Sequence, residues 1–446
     1  MYKRVYLLFV LFISIAAWGQ TKSPKRGLCV DQGKTNAADF AALAPGVSWF
    51  YDWGTSTNID YEPSGIVFVP MTWNTGYNKN DLTSFLDKHP EVEYLLAFNE
   101  PNFRSQSNAT PSQAAAAWPA LEQIADKYNL KLVSPAPNWC GDCVKEGGTT
   151  YYSPYQWLAD FFAKCPDCRV DYIGIHFYMG DKNAVKGSID SLWNQFHKPI
   201  WLTEFNMDKN GMGDNGTVDE QRAFMVNLID WMEQDPHVFR YSWFLTRGGI
   251  TPDLMSSTRG QLSLLGNVYA HMSSYDSTYW HSVDARIEAE HYIRMSNISL
   301  VASTDVDGNL SVGYTGAGSQ MSYQVELPSA GDYELVLRTA GEQPTSIAVL
   351  ADGSALSTLS VPSSGGWTKW QNVTQTLNLP QGKHTLTLAI NSGSCDFNWM
   401  QLNNLTPSDL SETGIPSAAA YKFIRNDRLL IQVNKKTYTV QGSTVY

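Results

Sequence analysis

The sequence lacks any dense run of lysine and arginine. Its 446 residues hold 32 basic and 43 acidic side chains, which gives a formal net charge of −11. A protein that follows a phosphate backbone needs clustered positive charge, so we expect no nucleic-acid partner. A second long apolar run is also lacking, since only residues 5–17 form one, and a bilayer span needs roughly 20 apolar residues. We therefore expect no membrane span.

Residues 1–19 have the three zones of a signal peptide. Lys3 and Arg4 precede the apolar run, and the small residues Ala17 and Gly19 come just before Gln20. This order predicts an exported protein that is periplasmic, at the cell surface or extracellular. No cysteine follows the run, so a lipid anchor has no acceptor there.

Cysteine is scarce, with six residues in all. Four of them form two CxxC motifs, Cys140-Gly-Asp-Cys143 and Cys165-Pro-Asp-Cys168. This spacing suits structural zinc in a cytosolic protein, whereas an oxidising compartment favours disulfides. We favour disulfides, leave their pairing open, and predict that Cys29 and Cys395 are buried free thiols.

Residues 25–276 alternate short β-rich runs with helical stretches, which predicts a parallel sheet covered by helices. Thr110-Pro111, Ser153-Pro154 and the capping box Thr217-Val-Asp-Glu220 mark helix starts. Eight β-rich runs in about 250 residues favour a (β/α)₈ TIM-like barrel over an open sheet with fewer strands. The runs are 27–30, 47–53, 66–73, 92–98, 130–134, 172–178, 200–205 and 239–245.

Beyond residue 283 the helical pattern ends. Residues 284–405 read as short alternating strands separated by Gly, Ser and Asp turns, which is typical of an all-β sandwich of the jelly-roll kind. Residues 406–446 comprise a polar linker and a short β tail with strands predicted at 421–424, 429–433 and 437–440.

Two glutamates end predicted strands of the barrel. Glu100 ends the fourth run in Ala97-Phe-Asn-Glu-Pro101, and Glu204 ends the seventh in Ile200-Trp-Leu-Thr-Glu-Phe205. Catalytic groups of such barrels lie at the carboxyl ends of the strands. Cleavage of a glycosidic bond with retained configuration needs an acid and a nucleophilic carboxylate about 5 Å apart. The sequence therefore predicts a glycoside hydrolase with Glu100 as acid/base and Glu204 as nucleophile.

Other polar and aromatic residues end neighbouring strands. Asn99 is a candidate to bind the sugar 2-hydroxyl, His176 and Tyr178 end the sixth run, and Trp243 ends the eighth. We expect Tyr178 to hold the nucleophile and Trp243 to form the floor of the subsite where the bond breaks.

Phe98-Asn-Glu-Pro101 and Leu202-Thr-Glu-Phe205 resemble the motifs of the retaining barrel glycosidases of clan A. Trp49-Phe-Tyr-Asp-Trp53, Val133-Ser-Pro-Ala-Pro137 and Asp171-Tyr-Ile-Gly-Ile-His-Phe-Tyr178 resemble glycoside hydrolase family 128. The resemblance implies a monomeric endo-β-1,3-glucanase that needs no catalytic cofactor. It also implies that Trp53 and Trp73 line a glucan-binding groove, while Trp49 and Tyr51 are candidates for groove or core.

Residues 284–405 resemble carbohydrate-binding modules of family 6. The motifs are Arg286-Ile-Glu-Ala-Glu290, Ala330-Gly-Asp-Tyr-Glu-Leu335, Gly365-Gly-Trp-Thr-Lys-Trp370 and Phe397-Asn-Trp-Met-Gln-Leu402. The resemblance implies a sugar site formed by Tyr314, Trp367 and Asp396, and a structural calcium held by Glu288 and Glu290. Asp396 replaces the family's usual asparagine, and Gln320 replaces its usual tryptophan, which bears on whether the module binds sugar.

The sequence leaves three functional hypotheses. The first is a secreted β-1,3-glucanase that a glycan-binding module keeps on its polysaccharide. The second keeps the two glutamates but has another β-linked polysaccharide as substrate. The third is a non-catalytic surface protein that binds glycan, and the presence of both glutamates argues against it.

Overall fold

The computed structural model describes residues 22–211, 213–248, 253–306 and 310–405, together with four short strands of the C-terminal tail. The predicted signal peptide and the predicted linker at 406–420 lie outside these described residues. The chain divides into two units, Met1–Asn403 and Asn404–Tyr446.

The first unit begins with an α/β domain of alternating strands and helices. Its eight main strands are parallel, and most of them are shorter than predicted; the third has only two residues. In chain order these strands are Arg26–Cys29, Trp49–Tyr51, Val67–Phe68, Tyr94–Leu96, Lys131–Val133, Ile173–Tyr178, Ile200–Asn206 and Val238–Trp243. The helices are α1 (Ala37–Leu43), α2 (Lys79–Leu86), α3 (Pro111–Tyr128), α4 (Pro154–Lys164), α5 (Lys182–Phe196), α6 (Val218–Gln234) and α7 (Leu264–His271).

The eight strands follow one another in space as they do along the chain. Six form one sheet in the order third, second, first, eighth, seventh, sixth, and the fourth pairs with the fifth. A single parallel bridge joins Leu96 of the fourth strand to Met71, which lies three residues after the third strand. A second joins Val133 of the fifth strand to Tyr172, which lies just before the sixth strand. The predicted α/β class with a parallel sheet and helices is confirmed.

Helix starts agree with the sequence signals. α3 begins at Pro111 after Thr110, and α6 begins at Val218 after Thr217; both caps form the reciprocal hydrogen bonds of a capping box. α4 begins at Pro154, as predicted.

Two apolar clusters cover the opposite faces of the strands. Leu28 and Phe50 face the helices in the larger cluster, whereas Cys29, Tyr51 and Trp201 belong to a smaller cluster on the other face. The alternation follows from the two-residue repeat of a strand. Every second strand residue therefore points to the interior of the domain, beneath the candidate site.

The rest of the first unit is a β domain of two sheets with mainly antiparallel pairing. One sheet has strands His281–Ser282, Arg294–Ser296, Gln320–Leu327, Thr345–Ala351, Ser354–Val361 and Gly382–Ser392. The other has strands Arg286–Glu288, Ser299–Ala302, Leu310–Gly313, Gly331–Gly341, Gly366–Leu379 and Asp396–Asn404.

The second unit is an antiparallel sheet. Its strands, Tyr421–Arg425, Arg428–Val433, Lys436–Thr439 and Thr444–Val445, pair in chain order. The first three confirm the strands predicted for the tail. None of the helices in the described part of the chain is long and apolar enough to cross a membrane.

The cysteines of each CxxC motif pair with each other. Disulfides join Cys140 to Cys143 and Cys165 to Cys168, as the favoured interpretation of these motifs predicts. Cys29 and Cys395 are free and buried, also as predicted.

Candidate active site

Glu100 is held by the backbone that follows the fourth strand. Its N–H donates to the carbonyl of Ala136, 3.0 Å away, and Asn99 N–H donates to the carbonyl of Trp73 at 2.9 Å. Glu100 has a φ of 40°, a left-handed conformation that is unusual for a residue with a Cβ. Such backbone geometry persists only where surrounding contacts fix it, and it is common at functional sites.

The Glu100 carboxylate is buried and accepts hydrogen bonds from two side chains. Asn138 Nδ2 donates to Glu100 Oε1 at 3.0 Å, and His176 Nδ1 lies 3.1 Å from the same oxygen. Only 8% of the Glu100 surface is exposed, so this carboxylate is largely shielded from solvent.

Glu204 lies within the seventh strand, in register with His176 of the sixth. Its Oε1 accepts from Trp53 Nε1 at 3.0 Å and from Tyr51 Oη at 3.1 Å. Its Oε2 accepts from Tyr178 Oη at 2.5 Å. These donors leave the Glu204 carboxylate with one fixed orientation.

One nitrogen contacts both carboxylates. His176 Nδ1 lies 3.1 Å from Glu100 Oε1 and 3.3 Å from Glu204 Oε2, and the His176 ring is fully buried. Glu100 and Glu204 each place an oxygen within 4.8 Å of the other's. The two predicted catalytic carboxylates are therefore brought together by the fold.

Burial raises the pKa of Glu204 above its usual value, and the charge of Glu100 adds to this effect. The His176 ring, Tyr178 and Trp53 act in the opposite direction on the Glu204 pKa. Burial also raises the pKa of the Tyr178 hydroxyl well above its usual value, so Tyr178 is a neutral donor. For His176, burial lowers the pKa, but the two carboxylates outweigh it and the net direction is upward.

The carboxylates open into a cleft of ≈ 610 Å³. Of the residues predicted to bind substrate, Trp53, Trp73, Asn99 and Tyr178 line this cleft, while His176 lies beneath it and contacts the carboxylates. Cleft residues that the sequence analysis did not single out include Asp31, Phe103, Gln106, Asn138, Asn206, Asp208, Asn215 and Phe244.

The prediction that Trp243 forms the floor of the subsite is wrong. Its side chain is fully buried in the helix-facing cluster, edge to face with Phe205 at 5.2 Å, and it does not line the cleft. Because strand residues alternate between faces, the next residue, Phe244, points to the cleft instead. Phe244 lies edge to face with Tyr178, 5.6 Å between ring centroids.

Two residues of the carboxylate network carried a weak signal in the sequence. Asn138 follows the fifth strand at its carboxyl end, which is where barrel enzymes place functional groups. Tyr51 alternates with Phe50 in the second strand, so its hydroxyl falls on the inner face. Tyr51 lies in the motif Trp49-Phe-Tyr-Asp-Trp53 and was expected in the groove or the core, whereas Asn138 lies in none of the motifs that the sequence offered.

The β domain brings its three predicted sugar-binding residues to one pocket of ≈ 480 Å³. Tyr314, Trp367 and Asp396 line the pocket with Val301, Thr315 and Ser394. Tyr314 is 65% exposed and Trp367 is 40% exposed. Burial raises the pKa of Asp396 to about 6. Gln320 lies in the other sheet and does not line this pocket.

Metal donors converge at more than one place. Among described residues, Glu100, His176 and Glu204 form one group of three potential ligands, and Asp190, Asp235 and His237 form another.

In the β domain, Glu290 is 3% exposed, and its Oε2 has no hydrogen-bond partner among the residues described. Burial raises the pKa of Glu290 well above its usual value, with a further contribution from Glu288. A buried carboxylate oxygen without a hydrogen-bond partner is suited to hold a cation.

A family model described as the glycosyl hydrolase catalytic core matches residues 27–269, more than half of the chain. The chain belongs to this family. A second family model, carbohydrate-binding module family 6, matches residues 288–404 of this glycosyl hydrolase. Both matches confirm the resemblances found in the sequence.

Three similar proteins illustrate these matches. An endo-β-1,3-glucanase of glycoside hydrolase family 128 from Sorangium cellulosum is 36% identical, with 55% of this chain and 97% of that chain covered and a TM-score of 0.49. A family 6 module of a Cellvibrio mixtus lichenase, solved with cellotriose, is 32% identical, with 27% and 98% covered and a TM-score of 0.27. Alkali-sensitive linkage protein 1 of Schizosaccharomyces pombe is 28% identical over 258 residues, 55% of this chain and 44% of that protein. The chain spans less than half the length of the curated relatives it matches.

Proposed function

We propose that this glycosyl hydrolase is a secreted, retaining endo-β-1,3-glucanase that its β domain keeps on the polysaccharide. The observation that carries the proposal is the pair of carboxylates that share one His176 nitrogen. Their oxygens lie within 4.8 Å of each other, which suits a retaining mechanism, whereas an inverting enzyme needs a wider gap for water, roughly 6.5–9.5 Å.

In the first step, a Glu204 oxygen attacks the anomeric carbon while the Glu100 carboxyl gives its proton to the glycosidic oxygen. The bond to the leaving sugar breaks, and a glycosyl ester forms on Glu204. The hydrogen bonds from Tyr51, Trp53 and Tyr178 favour the ionised form of Glu204 before the attack.

In the second step, the Glu100 carboxylate takes a proton from water, and this water attacks the anomeric carbon. The ester bond breaks and Glu204 leaves as a carboxylate, so the product keeps the β configuration. Negative charge thus moves between Glu204 and Glu100. The His176 N–H lies within reach of both and stabilises whichever carboxylate is charged. This chemistry needs no metal.

The substrate follows from the cleft and from sequence similarity. Trp53, Trp73 and Phe244 present aromatic surface to the cleft, which suits the apolar faces of glucose rings. The Sorangium relative, 36% identical over nearly its whole length, has a title that names it an endo-β-1,3-glucanase. These two observations favour β-1,3-glucan over other β-linked polysaccharides.

The proposal includes the scaffold and its location. The bridges from Met71 to Leu96 and from Val133 to Tyr172 support closure of the eight strands into a (β/α)₈ barrel. The two sheets of the β domain support a jelly-roll sandwich. Residues 1–19 and the two disulfides support export to an oxidising compartment.

The β domain is proposed to bind glycan and calcium at separate sites. Exposed Tyr314 and Trp367 offer two aromatic surfaces for a sugar, and Asp396 offers a polar contact. Glu290, with its unpartnered buried oxygen, and Glu288 would hold a structural calcium, which neutralises their charge.

Proton NMR of the first product from a β-1,3-glucan tests linkage and mechanism together. We expect the β anomer to form first and mutarotation to follow. A panel of xylan, mannan, galactan and mixed-linkage glucan measures the substrate preference. First-formed α anomer would rule out retention, and faster hydrolysis of another polymer would rule out the glucan assignment.

The Glu204→Gln variant serves as the control for catalysis, because it keeps the shape of the side chain and removes the nucleophile. We expect it to fold and to lose turnover. A variant that still hydrolyses soluble β-1,3-glucan at the normal rate would overturn the role of Glu204.

A further inference from the structure

The α/β domain contacts the proposed sugar pocket of the β domain. The guanidinium carbon of Arg222 lies 5.1 Å from the centroid of the Tyr314 ring, within the range of a cation–π interaction. Arg222 lies in the second turn of α6, is buried, and its Nη1 pairs with Asp219 at 2.9 Å. An arginine of the hydrolase domain therefore supports an aromatic ring of the other domain.

Tyr314 is held in an unusual backbone conformation. It follows the strand Leu310–Gly313 and has a φ of 54°, which is unfavourable for a bulky residue. That strand and its neighbour Ser299–Ala302 pack on α7, and Ser299–Ala302 also packs on α6. The backbone conformation of Tyr314 and its contact with Arg222 therefore both restrict the position of the ring, while 65% of the Tyr314 surface stays exposed.

We propose that Arg222 is a positioning residue of the β-domain glycan site. The exposed part of the Tyr314 ring faces the pocket that Trp367 and Asp396 also line, so a sugar stacked there meets a ring whose orientation the α/β domain sets. The inference rests on the proposed glycan-binding function of this pocket. It adds that the docked α/β domain completes the site.

The contact also limits how far the pocket can lie from the catalytic cleft. Gln221, the neighbour of Arg222, donates from Nε2 to the carbonyl of Asn215 at 2.7 Å, and Asn215 lines the cleft. Asn215 and Arg222 are seven positions apart in the sequence, so their Cα atoms are at most roughly 25 Å apart.

The test uses the full chain with Glu204→Gln, which binds without cleaving, and insoluble β-1,3-glucan as the probe. Depletion isotherms give the affinity of this parent and of variants with Tyr314→Ala, Trp367→Ala, Arg222→Met or Arg222→Lys. We expect Arg222→Met to weaken binding roughly two- to fivefold, the range of one cation–π contact, and Arg222→Lys to restore most of it. Lys186→Met, which removes a cation from the Trp231 ring outside both sites, should leave the affinity unchanged.

A double variant separates positioning from general support of the fold. If Arg222 acts through Tyr314, then Arg222→Met has no further effect once Tyr314→Ala is present. Loss of affinity with Tyr314→Ala and Trp367→Ala, but not with Arg222→Met, would overturn this inference and leave the glycan site intact. No loss with any of the three would overturn the glycan site and the inference with it.

Discussion

The hydroxyl oxygen of Tyr178 lies 2.5 Å from Oε2 of Glu204, at the point where the sixth strand ends. A hydrogen bond to a charged group contributes about 1.5–3 kcal/mol, more than a neutral one. Because Tyr178 is neutral and Glu204 is the proposed nucleophile, this bond favours the carboxylate form.

Tyr178→Phe should lower kcat/KM roughly tenfold to a hundredfold through loss of that bond. It should also move the acidic limb of the pH profile to higher pH, since removing a donor to the charged form raises the pKa of Glu204 further. The measurement is kcat/KM against pH on soluble β-1,3-glucan. Tyr172→Phe, at the residue just before the same strand begins, is the matched control, and an unmoved acidic limb in Tyr178→Phe would contradict the prediction.

Glu100→Ala should separate the two chemical steps. An aryl β-glycoside with a good leaving group needs no proton from Glu100, so glycosylation should proceed and a burst of phenol should precede slow turnover. Azide should accelerate the second step and give a β-glycosyl azide, which NMR identifies. In Glu204→Ala, azide should instead give the α-glycosyl product, and the reverse pattern would exchange the two roles.

Trp243→Ala should impair stability, whereas Phe244→Ala should impair catalysis. Trp243 is fully buried, so its loss should destabilise the fold by about 3–5 kcal/mol. Phe244 lines the cleft, so its loss should raise KM or lower kcat with little change in stability. Chemical denaturation and kinetics on correctly folded protein measure both effects. A catalytic defect in a stable Trp243 variant would restore the subsite role that the sequence analysis gave it.

Calcium removal should destabilise the β domain. With EGTA, the carboxylates of Glu288 and Glu290 lose the proposed cation, so the melting temperature should fall, and added calcium should restore it. Glu290→Gln should abolish this dependence, whereas Glu326→Gln, at an exposed position of the same domain, should keep it. An unchanged melting temperature with and without calcium would argue against the site.

The order of elements could be predicted because each depends on local sequence. Apolar runs located all eight main strands, and Thr110, Ser153 and Thr217 located helix starts. Strand lengths were less predictable, as the third strand shows: the run 66–73 is apolar except for Thr72, but only Val67–Phe68 pair as a strand. Apolar residues near a strand serve the core whether or not their backbone joins the sheet.

The site was predictable where the chemistry is carried by residues at strand ends. Glu100 and Glu204 stand out because a carboxylate beside an apolar strand needs a reason to be there. Asn138 was not singled out, and Tyr51 was named only as a groove or core candidate, since their contacts with the two glutamates depend on distances between strands far apart in the chain. Trp243 was misplaced because the sequence does not fix which of two adjacent aromatics faces the cleft.

The α/β domain and the β domain each contain one free cysteine. Cys29 lies on the inner face of the first strand, where its Sγ is 3.4 Å from Tyr51 Oη, and Cys395 lies buried just before the last strand of the β domain. A thiol reagent can reach either one only when its own domain opens. Rates of thiol labelling would therefore time the opening of the two domains separately, without any introduced probe.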